Sequence, residues 1–258
     1  MVTAHPRRRP RYGVDGFPYL AGLGTATIAL GVPALAGVST GRGLPRRVSW
    51  LALAIAVATG VPTVLGLRYV LSGKTALRDR MLAAVPWRGD DVVVDLGAGA
   101  GLLGIGAAAR TTGVVHCVDL FIGKDLSGNS PRRLLANATI VGVAERIDLI
   151  REDVRRTTLA DHSVDVVLSA LCLHNIPTPE GRRDALTEIA RILRPGGTVV
   201  ISDLAHVQDE YVPGLTHLGL DVRSTTSVPR TFPPQHMLIA TQVPREQPAN
   251  RSGATARP

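Results

Sequence analysis

The sequence predicts an α/β domain with a mainly parallel sheet, preceded by two helices long enough to cross a membrane. Three observations support this. Val92 to Leu96 is a short apolar run that ends in three alternating glycines. A segment with helical spacing, 185–193, is followed by an Arg-Pro-Gly-Gly turn and a second apolar run. Two stretches, 16–41 and 48–67, contain no charged residue.

The first apolar run and its glycines predict a strand that ends at a ligand. A strand that is apolar on both faces is typical of the interior of a parallel sheet. Gly97, Gly99 and Gly101 allow a sharp turn and a close approach of the backbone to a ligand. The helix that begins near Gly101 directs free backbone N–H groups towards that ligand. Asp95 adds a carboxylate, which suits a cationic amine better than a pyrophosphate.

The glycine motif alone leaves the ligand open. Residues 99–104 also fit the G-x-G-x-x-G pattern of a dinucleotide-binding unit. Asp119, at the end of the next apolar run, can bind a ribose diol in either case. A tight strand-to-helix turn without any ligand is a third interpretation.

Later elements separate these alternatives. Glu152-Asp153-Val154 follows a strand over 147–150, and a strand over 165–169 leads into Leu173-His174-Asn175-Ile176-Pro177. The helix and the R-P-G-G turn then precede a strand over 198–202. Two final strands are expected at 220–222 and 236–240. With these motifs the chain from about Lys74 to Val243 resembles the class I S-adenosylmethionine (SAM)-dependent methyltransferases, of the ubiquinone/menaquinone-biosynthesis type.

The resemblance implies a Rossmann-like sheet of seven strands, six parallel and one antiparallel, with helices on both faces. It implies SAM as cofactor. The residues expected to bind it are Asp95, Gly97, Gly99, Gly101, Asp119, Asp153 and Ser169. His174 is the first candidate for a general base, and Asn175 for orienting the methyl acceptor; each can instead pack or cap its loop. Asp203 and His206 are weaker candidates, and Asp203 can equally cap the next helix.

No metal site is expected, because the chain has no Cys/His cluster with zinc spacing. Cys117 and Cys172 are each placed in an apolar strand, which predicts buried thiols.

The net charge of +8 is unevenly distributed. Residues 1–80 contain eleven basic and two acidic residues, a net charge of +9, whereas residues 81–258 contain eighteen basic and nineteen acidic residues, a net charge of −1. An enzyme acting on nucleic acid would carry its positive charge on the catalytic domain. The charge distribution therefore argues against a nucleic-acid partner.

The basic N-terminal segment is instead typical of a membrane protein. At about 1.5 Å per residue, both uncharged stretches reach the roughly 30 Å of a hydrocarbon core. Tyr19, Trp50 and Tyr69 lie near their ends, where interfacial aromatic residues are favoured. A cleaved signal peptide with the site Ala34-Leu35-Ala36 is the alternative for the first stretch. We expect a helical hairpin with both termini and the catalytic domain on the cytoplasmic side.

The predicted organisation has three parts. Residues 1–72 form the basic N-terminus and transmembrane hairpin, residues 73–243 the methyltransferase domain, and residues 244–258 a disordered tail. The long segment 120–129, with the helix start Ser130-Pro131, resembles a bacterial group of membrane-associated methyltransferases of undefined substrate. It can fold over the ribose or the acceptor, or be an exposed insertion.

The membrane hairpin favours a small lipophilic acceptor, such as a lipid or a quinone-like molecule. Two alternatives stay open: a SAM-binding regulatory protein without turnover, and an enzyme for a water-soluble acceptor that uses the membrane as a tether. The sequence does not define the atom that is methylated or the oligomeric state.

Overall fold

The computed structural model describes residues 9–41, 44–123 and 126–243, with their side chains except those at 206–208 and 224–225. The predicted tail, 244–258, lies outside the described residues, as does the side chain of His206. The helices are α1 (Phe17–Thr40), α2 (Arg46–Arg68), α3 (Lys74–Ala83), α4 (Leu102–Ala108), α5 (Pro131–Val141), α6 (Pro179–Ile192) and α7 (Ala205–His217). The strands are β1 (Val93–Leu96), β2 (Val115–Val118), β3 (Ile147–Ile150), β4 (Val164–Ala170), β5 (Leu193–Leu204), β6 (Leu220–Val228) and β7 (Gln235–Gln242).

The described strands form one mixed sheet in the order β3-β2-β1-β4-β5-β7-β6. Strands β1 to β5 are parallel, and β7 is antiparallel to both of its neighbours, β5 and β6. The reversal of strand order between β1 and β4 opens a crevice at the carboxyl ends of these two strands, where open α/β sheets bind ligands.

Helices cover both faces of the sheet. Because side chains alternate along a strand, Val93 packs with α3, α4 and α5 on one face, and Val94 packs with α6 and α7 on the other. The two cores are built around large, fully buried side chains such as Met81 on the first face and Tyr211 on the second. The predicted Rossmann-like α/β fold is confirmed.

The R-P-G-G segment differs from its prediction. Helix α6 ends at Ile192, as expected, but β5 begins at Leu193 instead of Thr198. The segment is a bulge within the strand, because Leu193 pairs with Val164 and Thr198 pairs with Val166. The guanidinium of Arg194 donates to the Asp165 carboxylate at 2.8 Å, which holds the bulge against β4. The Pro and Gly residues predict a turn at this point, because the sequence pattern does not show that Asp165 on the neighbouring strand binds Arg194.

Helices α1 and α2 form a hairpin with a close interface. Thr27 donates a hydrogen bond to the Thr59 hydroxyl at 2.9 Å, and a Cβ added to Gly31 would lie 3.4 Å from the Ala56 methyl group. Small residues at such an interface allow two helices to approach closely. Both helices are long and apolar enough to span a membrane by length and composition, and only 11% and 17% of their apolar windows are buried. They are therefore not core helices of the α/β domain.

Helix α2 continues without a break into the α/β domain. A π-helical turn over Tyr69–Gly73 joins it to α3, so that a single helix of 38 residues runs from Arg46 to Ala83. Tyr69 is buried in the core of the domain, and its hydroxyl accepts a hydrogen bond from the Gln235 amide at 3.1 Å. The hairpin thus connects to the domain through packed residues as well as through the chain.

The segment 9–15, which we call the N-terminal arm, packs against the α/β domain. The Asn137 side chain accepts from the Arg11 backbone N–H at 2.9 Å and donates to the Arg11 carbonyl at 3.0 Å. Val14 and Ser127 exchange two hydrogen bonds of 2.8 and 3.0 Å. The division of the chain at residue 72 stays a prediction, but the arm before it contacts the domain directly.

Replacing Asn137 by Ala is expected to release the arm. The buried side chain of Asn137 also donates to the Ala100 carbonyl at 2.9 Å, so the change removes three hydrogen bonds. A loss of about 1–3 kcal/mol in the free energy that holds the arm in place corresponds to about five- to a hundredfold faster trypsin cleavage after Arg11 in the full-length chain. Thr139→Ala, an exposed change on the same helix, is the control. Equal cleavage rates in both variants would contradict docking of the arm.

Candidate cofactor and acceptor site

A cavity of about 390 Å³ lies at the carboxyl ends of the parallel strands. Each strand from β1 to β4 contributes to it through residues at or beyond its carboxyl end, and Ala170 is itself the last residue of β4. The lining includes Gly97 and Gly99 after β1, Asp119 after β2, Asp153 after β3, and Ala170 to Cys172 with Asn175 to Pro177 after β4. This is the crevice that the strand order creates, and it is large enough for a nucleoside-sized ligand.

The glycine turn shapes the floor of this cavity. Gly97 and Gly99 have φ values of 78° and 54°, and both line the cavity. A Cβ on Gly97 would overlap the Cys172 side chain, and one on Gly99 would lie 2.9 Å from a methyl group of Leu126. Gly101 is outside the lining of this cavity, and a Cβ there would lie 2.7 Å from Ile105 in the core, so its contact with a cofactor stays a prediction. Its role is to start α4.

Asp95 lies behind the glycine turn and not in the main cavity. It is fully buried and accepts a hydrogen bond from the Gly104 N–H at 2.7 Å. Burial raises its pKa to about 7, and the negative charge of Asp119 contributes to the rise. Asp95 therefore holds the first turn of α4 in place. It also lines a cavity of about 50 Å³ behind the turn, together with Asp15 and Lys74.

Asp119 is held in an orientation that suits a pair of hydroxyl groups. Its carboxylate accepts from the N–H of Gly99 at 2.8 Å, the N–H of Phe121, and the Asn129 amide at 3.3 Å. The Oδ1 atom of Asn129 is buried and has no hydrogen-bond partner among the described residues. Such an orphaned acceptor is costly unless a ligand donates to it. Asp119 and Asn129 together present acceptors suited to a vicinal diol, such as that of a ribose.

Asn129 is not one of the residues predicted to bind the cofactor, although the segment 120–129 that contains it is predicted to fold over the ribose or the acceptor as one alternative. Within the segment 120–129, residues 124–125 lie outside the described part of the chain. Leu126 and Asn129 from this segment line the main cavity, and Ser130 caps α5 as predicted by accepting from the Arg133 N–H. A buried amide with an unused oxygen becomes apparent only once the loop is folded over Asp119.

The predicted residues Asp153 and Ser169 have different positions. Asp153 lines the cavity, and both of its carboxylate oxygens accept from Nε of Arg155 at 3.0 Å. Hydrogen bonds from Arg155 lower the pKa of Asp153. Ser169 is outside the lining of the cavity: it is buried within β4 and donates to the Leu96 carbonyl at 2.9 Å. Its contact with the cofactor stays a prediction.

His174 and Asn175 lie on a short 3₁₀ turn, Leu173–Asn175, after β4, and Asn175 lines the cavity. His174 Nδ1 is 2.6 Å from Oδ1 of Asp203, and the His174 backbone N–H donates to Oδ2 of the same carboxylate at 3.1 Å. The Tyr211 hydroxyl donates to Oδ2 at 3.1 Å; burial, with the charge of Asp203, raises the pKa of Tyr211 and keeps the proton on its oxygen. Asp203 thus orients His174 and does not serve as the side-chain cap of α7.

Asp15 and Lys74 are site residues that the sequence patterns did not reveal. Lys74 is buried, and its Nζ is 2.8 Å from the Asp15 carboxylate and 3.1 Å from the Gly13 carbonyl. Asp15 lines the main cavity and the smaller one behind the glycine turn. One signal was available: Asp15 is one of two acidic residues in the first 80, and it directly precedes an uncharged stretch.

The cysteines are both free thiols. Cys117 lies in β2 as predicted, but Cys172 lies beyond the end of β4 and lines the main cavity. Burial is the main cause that raises the pKa of the Cys172 thiol and keeps it protonated. Among the described residues, no group of three or more His, Cys, Asp or Glu side chains is arranged to hold a metal ion.

Comparison with known proteins agrees with this geometry. Residues 94–201 match the family model described as a methyltransferase domain. The chain is 30% identical over 129 residues to the 27-O-demethylrifamycin SV methyltransferase of Amycolatopsis mediterranei, which covers 50% of this chain and 44% of that protein. It is 26% identical over 162 residues to an uncharacterized protein of Haemophilus influenzae, covering 60% of this chain and 62% of that one. The chain therefore spans less than two thirds of the length of either relative.

Among solved structures, the geranyl diphosphate C-methyltransferase of Streptomyces coelicolor A3(2), in complex with Mg²⁺, geranyl diphosphate and S-adenosyl-L-homocysteine, superimposes with a TM-score of 0.54. The two sequences are 14% identical, and the match covers 66% of this chain and 79% of that one, so it shows a shared fold. The family match identifies a methyltransferase domain within residues 94–201, and the fold and the cavity agree with it.

Replacing Asp119 by Ala is expected to weaken SAM binding. If the carboxylate accepts ribose hydroxyls in a buried site, the loss is roughly 1–3 kcal/mol, or about five- to a hundredfold in Kd. Titration calorimetry on the full-length chain in detergent micelles measures it, with Asp221→Ala on the edge strand β6 as control because that carboxylate is exposed. An unchanged Kd in the Asp119 variant would remove this residue from the cofactor site.

Proposed function

We propose that this chain is a membrane-anchored methyltransferase that uses SAM to methylate a small lipophilic acceptor. One observation carries the proposal. Asp15 lines the cofactor cavity and lies two residues before the first residue of α1, Phe17. The cofactor cavity is therefore adjacent to the ends of the two membrane-length helices, where a molecule dissolved in the bilayer would be available.

The surface of the hairpin supports insertion into a membrane. Large apolar side chains on both helices are exposed, among them Val32, Leu51 and Val64, each more than 60% accessible. Such a surface is costly in water and normal in hydrocarbon. Four basic residues precede the first uncharged stretch and four follow the second, whereas three lie between the stretches. This small excess favours a cytoplasmic location of both ends. This orientation would place the domain in the compartment that contains SAM.

The chain's own residues would position the cofactor. Asp119 and Asn129 would bind the ribose, and Asp153 would lie near the adenine. Lys74 and Asp15, of opposite charge, would face the carboxylate and ammonium groups of the methionine end. Bound SAM supplies a methyl group on a sulfonium centre that is already activated for displacement. The protein therefore contributes mainly proximity, alignment and exclusion of water.

His174 would act as the general base if the acceptor must lose a proton. Nδ1 is held by Asp203, which leaves Nε2 as the ring nitrogen that takes the proton. The buried Asp203 carboxylate would then stabilise the imidazolium. Asn175 lines the cofactor cavity and donates to the Leu171 carbonyl at 3.3 Å, so it would orient the acceptor with its amide oxygen.

A radiolabel experiment tests the function. Full-length protein in its membranes is incubated with SAM labelled in the methyl group, and lipid and aqueous fractions are separated. We expect the label in the lipid fraction, and none with Gly99→Val, whose side chain would occupy the cofactor cavity. Label only in a water-soluble product would favour the tethered enzyme for a soluble acceptor. SAM binding without any labelled product would favour the regulatory protein.

Replacing His174 by Ala then tests the chemistry. We expect kcat to fall by roughly 10²–10⁴-fold with little change in SAM affinity, because the imidazole acts on the acceptor and not on the cofactor. Asp203→Asn, which keeps the size of the side chain but removes its charge, should lose part of the rate and alter its pH profile. His217→Ala, at the exposed end of α7, is the control. A full rate in the His174 variant would leave positioning alone to account for catalysis.

A further inference from the structure

A second cavity, of about 420 Å³, lies between the hairpin and the α/β domain. We call it the junction cavity. Its hairpin side is formed by Tyr19 and Leu20 of α1 with Val70 of the π-helical turn that follows α2. Its domain side is formed by Leu171, Leu204 and Phe232. The lining is mainly apolar, and a cavity of this size is in the range of small-molecule sites.

The junction cavity adjoins the cofactor cavity. Asp15, Leu171 and Asn175 line both, so the wall between them is one residue thick. His174 lines the junction cavity and not the cofactor cavity. A molecule in the junction cavity would therefore lie with one end at the boundary with the cofactor and beside the imidazole of the His174–Asp203 pair.

Helices α1 and α2 and the β6–β7 connection meet at this cavity, and Gly66 allows their close approach. A Cβ on Gly66 of α2 would lie 2.6 Å from Leu20 of α1 and 3.6 Å from the Phe232 ring of the β6–β7 connection. The absence of a side chain at this position lets both helices and the connection meet. The cavity is thus built jointly by the hairpin and the domain, and neither part forms it alone.

The position of the cavity along the hairpin makes it accessible from a bilayer. It lies where α1 begins and α2 ends, the level at which a spanning helix passes through the membrane interface. Exposed apolar side chains occur at the same level: Phe17 and Tyr19 are 52% and 68% accessible, and Leu71 is 81% accessible. Aromatic rings at a membrane interface are favourable, whereas these side chains would be costly against water.

We infer that the junction cavity is the acceptor site, occupied by an amphiphile that enters laterally from the bilayer and has one ionisable hydroxyl on an apolar body. The inference rests on the proposed function. The apolar body contacts Leu20 and Val70, and the hydroxyl reaches His174. The proton of the hydroxyl passes to Nε2 of His174, and the hydroxyl oxygen forms its new bond to the methyl carbon of SAM. The pair of electrons from the broken sulfur–carbon bond stays on sulfur, which becomes the neutral thioether.

The test fills the cavity from the hairpin side. Full-length Val70→Trp and its matched control Leu51→Trp, an exposed position near the other end of α2, are placed in nanodiscs. The nanodiscs consist of phosphatidylglycerol and phosphatidylethanolamine with added total lipid extract from bacterial membranes. Methyl transfer from labelled SAM into lipid and the Kd for S-adenosylhomocysteine are both measured. We expect Val70→Trp to reduce lipid labelling at least tenfold with the Kd within twofold of wild type, and Leu51→Trp to change neither.

The outcomes separate the inference from the function on which it rests. Labelling of lipid by Val70→Trp at the rate of Leu51→Trp would overturn the junction cavity as acceptor site and leave a lipid methyltransferase in place. Binding of S-adenosylhomocysteine by the wild type without any labelled lipid would overturn both. Should Val70→Trp fail to fold, Val70→Ser is the second variant, because the smaller serine side chain introduces no overlap. We expect it to raise the KM for the lipid acceptor roughly three- to tenfold at unchanged kcat. An unchanged KM would overturn the inference.

Discussion

The ion pair between the buried Lys74 and the half-buried Asp15 is the interaction on which the arrangement of this protein depends. A lysine ammonium in the protein interior is unstable without a charged partner and further hydrogen bonds. Here the partner comes from the N-terminal arm, and the carbonyls of Tyr12 and Gly13 accept from the same ammonium. The pair therefore attaches the arm to the first residue of α3, and α1 has to begin beside the glycine turn.

This attachment explains why one site draws on parts of the chain that are distant in sequence. The parallel strands supply the glycine turn, Asp119 and the turn with His174, all at one edge of the sheet. The arm and the hairpin supply the side of the site that the sheet leaves open. Asp15 lines the cofactor cavity and the junction cavity, so it is the point at which both contributions meet.

Local patterns were sufficient for the parts of the site that belong to one segment. Gly97 and Gly99 line the cavity because a strand followed by alternating glycines is a local arrangement, and Asp119 follows from its position after the next strand. Asn129, Asp15 and Lys74 could not be predicted, because their roles depend on contacts between segments far apart in the chain. Gly101 and Ser169 are predicted from their motifs, and their contact with the cofactor stays a prediction because both lie outside the lining of the cavity. The bulge at Arg194 likewise requires its partner Asp165 to be known.

The unbroken helix from Arg46 to Ala83 has a mechanical consequence. Its 38 residues measure about 57 Å, nearly twice the thickness of a hydrocarbon core. A flexible linker would let a catalytic domain diffuse over the membrane surface at variable height, whereas a continuous helix with Tyr69 packed in the core transmits orientation. In the proposed arrangement, in which α2 spans the bilayer, the helix would adapt to bilayer thickness by tilting, and the domain would tilt with it. The height of the site above the lipid headgroups would then vary with the thickness of the surrounding membrane.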